Sequence, residues 1–265
     1  MTHKNLILAV VCLMLAPVLS QAQGKAPKKP SKIWYSPVKA ENKELKLEAQ
    51  NAISEKEITK FKWTITNNTK DFIIVRPKEC LFKAGDVEII PNDKKKISIR
   101  PLDYESKVID GINTKENSVY EFNMSFIASG LYRSRDGVLE ELPDFSIPAT
   151  QNVIEEGDFR VELITAFTQS DVQWKVKLKI TYRGEGVGIV EPRKISARAK
   201  TGTVVANNNS EKIFALERGE EENIVCVFST TQPVWILWND AFKTAKLEKM
   251  ESVKMDFEYD PNMEK

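Results

Sequence analysis

The segment Phe61-Lys62-Trp63-Thr64-Ile65-Thr66, followed after eight residues by Val75-Arg76-Pro77-Lys78, returns as Val176-Lys177-Leu178-Lys179-Ile180-Thr181 and Val190-Glu191-Pro192-Arg193. Both matches lie 115 residues apart (61 to 176, 75 to 190), so no gap separates them. Gly85-Asp86-Val87 matches Gly202-Thr203-Val204, and Ile97-Ser98-Ile99 matches Phe214-Ala215-Leu216, each 117 apart (85 to 202, 97 to 214). Upstream, Leu45-Lys46-Leu47 matches Val161-Glu162-Leu163. Downstream, Phe122-Asn123-Met124-Ser125-Phe126 aligns with Ile224-Val225-Cys226-Val227-Phe228 at 102 (122 to 224), the first copy carrying the longer Lys107–Ser118 stretch. The shared order predicts one unit present twice, over residues 33–147 and 148–265. A period this long excludes a solenoid of small repeats.

Within each unit the apolar period is two. Phe61, Trp63 and Ile65 alternate with Lys62, Thr64 and Thr66; Val176, Leu178 and Ile180 alternate with Lys175, Lys177 and Lys179. One face of each strand therefore meets a core and the other meets water. Val253, Met255, Phe257 and Tyr259 obey the same rule near the C-terminus. Ile224–Phe228 is apolar on both faces, which places it in mid-sheet. Asn67-Asn68, Asn92-Asp93 and Asn207-Asn208-Asn209 supply turns, and Asp136-Gly137 predicts a tight hairpin between Leu131-Tyr132 and Val138-Leu139. Ala52–Phe61 can begin with a helical turn. Ala241–Met250, behind the N-cap candidate Asn239-Asp240, fits a short helix as well as a strand. About seven strands per unit at 8–12 residue spacing give an all-β fold, two antiparallel β-sandwiches in tandem.

Ile65–Asn68, Ile73–Pro77, Gly85 and Ile97–Ile99, echoed at Ile180–Arg183, Ile189–Pro192, Gly202 and Phe214–Leu216, resemble the immunoglobulin-like domains of secreted bacterial proteins and PapD-like sandwiches. The resemblance implies the sandwich and an extracytoplasmic setting, and it carries over no functional residue. Neither copy has the paired cysteines of antibody-type domains. No clear pair of basic residues stands where a chaperone would anchor a client carboxylate.

The setting has independent support in an uncharged apolar run from Leu6 to Leu19, preceded by Lys4 and followed by Ser20-Gln21-Ala22. This is the layout of a signal peptide over residues 1–22, too short to span a bilayer comfortably; an uncleaved anchor is the alternative. Residues 23–32, with Lys25, Lys28, Lys29 and Lys32 around Pro27 and Pro30, read as a basic tether. Cleavage removes Lys4 and no acid, taking 39 basic and 38 acidic residues to 38 of each. A balanced chain has no global field to gather nucleic acid or anionic lipid, so neither partner is expected. Cys80 and Cys226 remain, one in each copy, and read as buried thiols, with a bridge between the copies as the alternative.

The single histidine, His3, lies in the leader. Its loss removes Ser-His-Asp and Cys-His catalysis, His-ligated zinc and most neutral-pH general bases. Two separated cysteines cannot build a Cys-only metal site. Gly184-Glu185-Gly186-Val187-Gly188 lacks the Lys-Ser/Thr of a phosphate loop. Adjacent acids such as Glu140-Glu141 and Glu220-Glu221-Glu222 point to opposite strand faces, which disfavours a paired-carboxylate enzyme. Calcium has oxygen donors at Asn67–Asp71 and Asn92-Asp93 without a loop of alternating acids. No enzyme, cofactor or metal is expected.

Recognition by surface remains. Gln232-Pro233-Val234-Trp235-Ile236-Leu237-Trp238 is the densest apolar cluster after the leader, and the repeat aligns it with Gly130-Leu131-Tyr132-Arg133. If Val234, Ile236 and Trp238 face the core, Trp235 and Leu237 face outward. Trp235, Leu237, Tyr132 and Arg133 are therefore the expected partner-binding residues. The expected role is a secreted, non-enzymatic binding or assembly protein of the bacterial periplasm or cell surface, acting on another envelope or extracellular protein. Glycan binding through stacked aromatics and a periplasmic chaperone-like role are the alternatives.

Overall fold

A computed structural model describes residues 29–147, 152–170, 172–209, 212–230 and 233–263. The expected signal peptide and most of the expected tether lie outside the described residues. The first half contributes β1 (Lys32–Trp34), β2 (Val38–Glu41), β3 (Leu45–Glu55), β4 (Ile58–Asn67), β5 (Ile73–Val75) and β6 (Leu81–Ala84). It continues with β7 (Val87–Ile89), β8 (Ile97–Ile99), β9 (Tyr104–Ile112), β10 (Asn123–Ala128), β11 (Leu131–Leu139) and β12 (Phe145–Ser146). The second half contributes β13 (Val153–Glu156), β14 (Phe159–Ser170), β15 (Gln173–Tyr182), β16 (Val187–Val190), β17 (Ser196–Ala199) and β18 (Val204–Ala206). β19 (Phe214–Glu217), β20 (Glu221–Phe228), β21 (Pro233–Leu237), β22 (Phe242–Lys249) and β23 (Val253–Glu258) complete it. Single 3-10 turns, Pro77–Glu79 and Pro192–Lys194, follow β5 and β16, the fixed φ of proline suiting the first helical position. The architecture is all-β and antiparallel at the named pairs.

The alternating sequence produces the burial it predicts. Phe61, Trp63 and Ile65 on β4, and Val176, Leu178 and Ile180 on β15, are all at most 1% exposed, while Lys62 and Lys177 face away from these cores. β3, β4 and β9 pair in that order in the first half, and β14, β15 and β20 do so in the second. The pairing sets Phe61 against Ile109 and Val176 against Cys226. The strand over Ile224–Phe228 thus holds the place of Tyr104–Ile112, not that of Phe122–Phe126 as the sequence alignment has it. It is also an edge strand, and the Asn triplet bonds the backbone of its free edge. Asn208 N–H donates to Val227 O (2.8 Å), Asn209 Nδ2 donates to Val225 O (2.5 Å), and Val227 N–H donates to Asn207 Oδ1 (2.9 Å), so the free edge is covered.

Two strands cross between halves. β12 pairs with β21 in the sheet β12-β21-β17-β18, and the last strand, β23, pairs with β10 in the sheet β23-β10-β6-β7. Met255 and Phe257 on β23, each 1% exposed, join the core of β3, β4, β6 and β10, whereas Phe145 on β12 joins that of β14, β15 and β17. The exchange is reciprocal even in its hydrogen bonds: Met250 N–H donates to Leu131 O (2.9 Å) and Glu140 N–H to Phe242 O (3.0 Å). β11 and β22 pair directly, placing both halves in one six-stranded sheet, β19-β16-β22-β11-β5-β8.

That central sheet is rolled. Lys96, next to β8, donates to Ala215 O on β19 (3.2 Å) and pairs with Glu220; Arg76 pairs with Glu217 (2.6 Å). The outermost strands therefore meet along a seam, and the roll encloses a third apolar cluster of Phe72, Ile74, Val187, Ile189, Ala215 and Ala245.

Three local expectations change. Asp136-Gly137 makes a β-bulge within continuous β11, not a hairpin; the positive φ of Asp136 (54°) serves the bulge as it would serve a turn. Ala52–Phe61 is strand with a tight reversal. Ala241–Met250 is strand too, its helix-forming residues overridden by pairing with β11 and β16. Cys80 and Cys226 are free, buried thiols in different cores.

Candidate protein interface

Trp235 stands on β21 with Ile236 pointing into the core at 0% exposure, so Trp235 faces outward and is 39% exposed. Across the sheet its partners are Ser146 on β12 and Arg198 on β17, and Val204 follows Arg198 on β18. Ser146, Trp235, Arg198 and Val204 thus form one cross-strand row at the ~4.8 Å strand spacing. Val204 is 54% exposed and Arg198 is exposed. Among the described residues no carboxylate pairs with Arg198.

The first half has a row at the same place in its sheet: Asp256, Ser125, Lys83 and Glu88. It is polar and satisfied within itself, Ser125 donating to Asp256 (2.6 Å) and Lys83 pairing with Glu88 (2.7 Å). Two equivalent faces therefore differ in kind. One is polar and bonded within itself. The other offers a tryptophan and an uncommitted guanidinium, residue types that dominate the energetics of binding surfaces, beside an exposed valine.

Of the four residues expected from sequence, Trp235 alone is presented. Leu237 lies on the same side of β21 but is 7% exposed. Its cross-strand neighbour Ser196 accepts a hydrogen bond from Asn239 Nδ2 (2.6 Å), which draws the Asn239-Asp240 turn over that end of the strand. Tyr132 lies on β11, in a different sheet, because Gly130–Arg133 matches the start of β22 and not β21 in the pairing. Its ring lies under the Arg76 guanidinium (4.4 Å), and its hydroxyl donates to Glu79 (2.5 Å). That hydrogen bond first, and burial second, raise the hydroxyl pKa. Arg133 pairs with Asp71 (2.6 Å) and with Glu44, its side chain 15% exposed. Both residues are committed to internal contacts. Arg198 and Val204 escaped the sequence reading, although Ser196-Ala197-Arg198-Ala199 carries the signal: small residues alternate with one charge that must face out.

The oxygen-rich loops also have internal work. Asn67, buried, donates to Asp71 O (2.7 Å) and Arg100 O (2.9 Å) and accepts from Thr69. Among the described residues no cluster of three His, Cys, Asp or Glu could hold a metal ion, and no helix is long and apolar enough to cross a membrane. Comparison with protein families finds no matching family model, and comparison with curated proteins finds no match.

Proposed function

We propose that the chain is an exported, non-enzymatic binding or assembly protein of the bacterial envelope or surface, made of two copies of an immunoglobulin-like sandwich that exchange their last strands. It holds another envelope or extracellular protein on the outward face of Trp235, Arg198 and Val204. The observation that carries this reading is the contrast between the two equivalent rows: the same fold position is polar and self-paired in one half, apolar and uncommitted in the other. Buried aromatic and arginine anchors each contribute roughly 2 kcal/mol or more when a partner excludes water from them. The leader over residues 1–22 and the tether over 23–32 supply export and reach in this reading. Glycan binding needs aromatics side by side on one open face, and Tyr132 under Arg76 on another sheet does not join Trp235.

The test places a photocrosslinking residue at position 235 and, separately, at position 125, in cells with an intact envelope. One discrete adduct from 235 and none from 125 is the expected result. With the trapped protein purified, Trp235→Ala should weaken its binding about 30-fold. Equal adducts from both positions, or unchanged affinity, would discard this face.

A further inference from the structure

The seam of the rolled sheet has two ends, and among the described residues ion pairs seal one of them. Strand pairing sets Val75 against Ile97 in the first half and Val190 against Phe214 in the second, so Arg76 corresponds to Glu191, Lys96 to Ile213, Arg100 to Glu217 and Asp103 to Glu220. At the first end, Arg76–Glu217 and Lys96–Glu220 cross the seam. At the other end the corresponding groups are paired within their own half. Arg100 pairs with Asp103 on its own turn (2.6 Å), Glu191 pairs with Lys243 (2.9 Å), and Ile213 has no charge to offer. No ion pair crosses the seam there among the described residues, and a cavity of about 440 Å³ opens, within the usual size of small-ligand sites.

Its apolar walls are Pro101, Leu102, Pro192 and Ile213; the ion-paired Arg100, Asp103 and Glu191 also line it, and Arg193 and Lys212 bring two further cations. A second cavity of about 290 Å³ shares Pro101, Glu191 and Ile213; it reaches Phe72, Ile189 and Ala245 of the enclosed apolar cluster and is also lined by charged groups, Asp71 and Lys243 among them. Leu102 adds a further sign of construction. It is 68% exposed and held at φ 54°, a left-handed conformation that a leucine adopts only when its surroundings impose it. Arg193 and Lys212 are exposed and form no ion pair among the described residues, although Lys212 is near enough to Asp103 to help lower its pKa, after the larger effect of Arg100.

We propose that this open end binds a small amphipathic anion, an aliphatic or aromatic carboxylate. Its apolar body lies on Pro101, Pro192 and Ile213 toward Phe72 and Ile189, and its carboxylate meets Arg193 and Lys212. The site is separate from the Trp235 face and stands whether or not that face binds a protein. Decanoate is the probe, titrated calorimetrically into the full chain, with 1-decanol and inorganic phosphate as controls for the two parts of the chemistry. One equivalent of decanoate should bind, decanol should bind at least ~10-fold more weakly, and phosphate alone should not bind. Arg193→Gln with Lys212→Gln should weaken decanoate ~10-fold or more, and Ile213→Lys, which supplies the lysine of the sealed end, should weaken it likewise. Lys94→Gln with Lys95→Gln, at the sealed end, should change nothing. The proposal falls if decanoate fails to bind at about 1 mM. It falls equally if decanol binds as well as decanoate, or if the Arg193/Lys212 variant binds decanoate as the parent does.

Discussion

Phe257 belongs by sequence to the last strand of the second half and by packing to the core of the first. Its side chain is 1% exposed, set edge-on to Tyr35 (centroids 5.9 Å apart) and tilted on Phe61 (5.3 Å). Phe257→Ala removes most of the 150–250 Å² that a buried aromatic withdraws from water, roughly 120 Å², or ~3 kcal/mol at ~25 cal/mol/Å². The cavity left behind brings the loss to ~3–5 kcal/mol. That is a large share of the ~5–15 kcal/mol by which domains are stable, so the effect is measurable by urea unfolding. Hydrogen exchange resolved by peptide then tells where the loss falls. Residues 45–67 and 123–128 should lose protection before 173–182 and 221–228, because the exchanged strand supports the first core. Phe145→Ala, on β12, should give the reverse order. If Phe257→Ala costs less than ~1 kcal/mol, or strips protection first from 173–182, the exchange of strands is refuted.

Three further outcomes follow from single residues. Gly188→Ala should destabilise by ~1–3 kcal/mol in urea titration, because a Cβ there would stand 2.4 Å from the ring of Tyr182 and 2.8 Å from that of Phe159, and Tyr182 is tethered through its hydroxyl to Glu185 O (2.6 Å). Burial pushes the Cys80 thiol up to about 11, so alkylation near pH 8.5 should proceed only as fast as the core opens. Stability should also decline as pH climbs from the ordinary thiol value toward 11, because only the unfolded chain releases the proton there. Burial opposes ionisation of Glu191, but Lys243 and Lys194 outweigh it and hold its pKa low. Its contribution is therefore present above the ordinary carboxylate range and lost as pH falls through the lowered value, and Glu191→Gln should flatten the acid limb of a stability–pH curve.

What the sequence carries plainly is what alternation can express. The inward positions of β4 and β15, the turn glycines Gly85 and Gly202 with positive φ, and the strand over Val253–Tyr259 are all legible, because each depends on neighbours one or two residues away. Long-range pairing is not. Nothing local in Phe145 or Met255 says which sheet receives them, since both halves offer an apolar groove beside β10 or β21. The misreading of Ile224–Phe228 has the same root. An edge strand normally shows polar residues outward, but Asn207–Asn209 caps the backbone of this edge with side-chain and backbone bonds, and the outward Val225 and Val227 are half-buried. Trp235 was legible because a tryptophan between two core residues must face out. Leu237 was not, because the turn that covers it is held by Asn239 and Ser196, a contact 43 residues apart in the chain.

The management of strand edges links these observations to function. Unpaired edges invite pairing with other chains, and this molecule pairs β10 and β21 by means that tie the halves together. β12 and β23 each cover the other half's sheet, and β11 with β22 fuses the halves through backbone hydrogen bonds. Hinging between the halves would break that ladder and pull Phe145 and Phe257 from their cores, a loss far above thermal energy. A surface carried by such a body meets its partner with little conformational entropy to lose, which favours recognition by a small anchor group over recognition by a broad adaptable patch. One tryptophan, one arginine and one valine in a fixed row suit that mode. The polar row of the first half is bonded to itself instead.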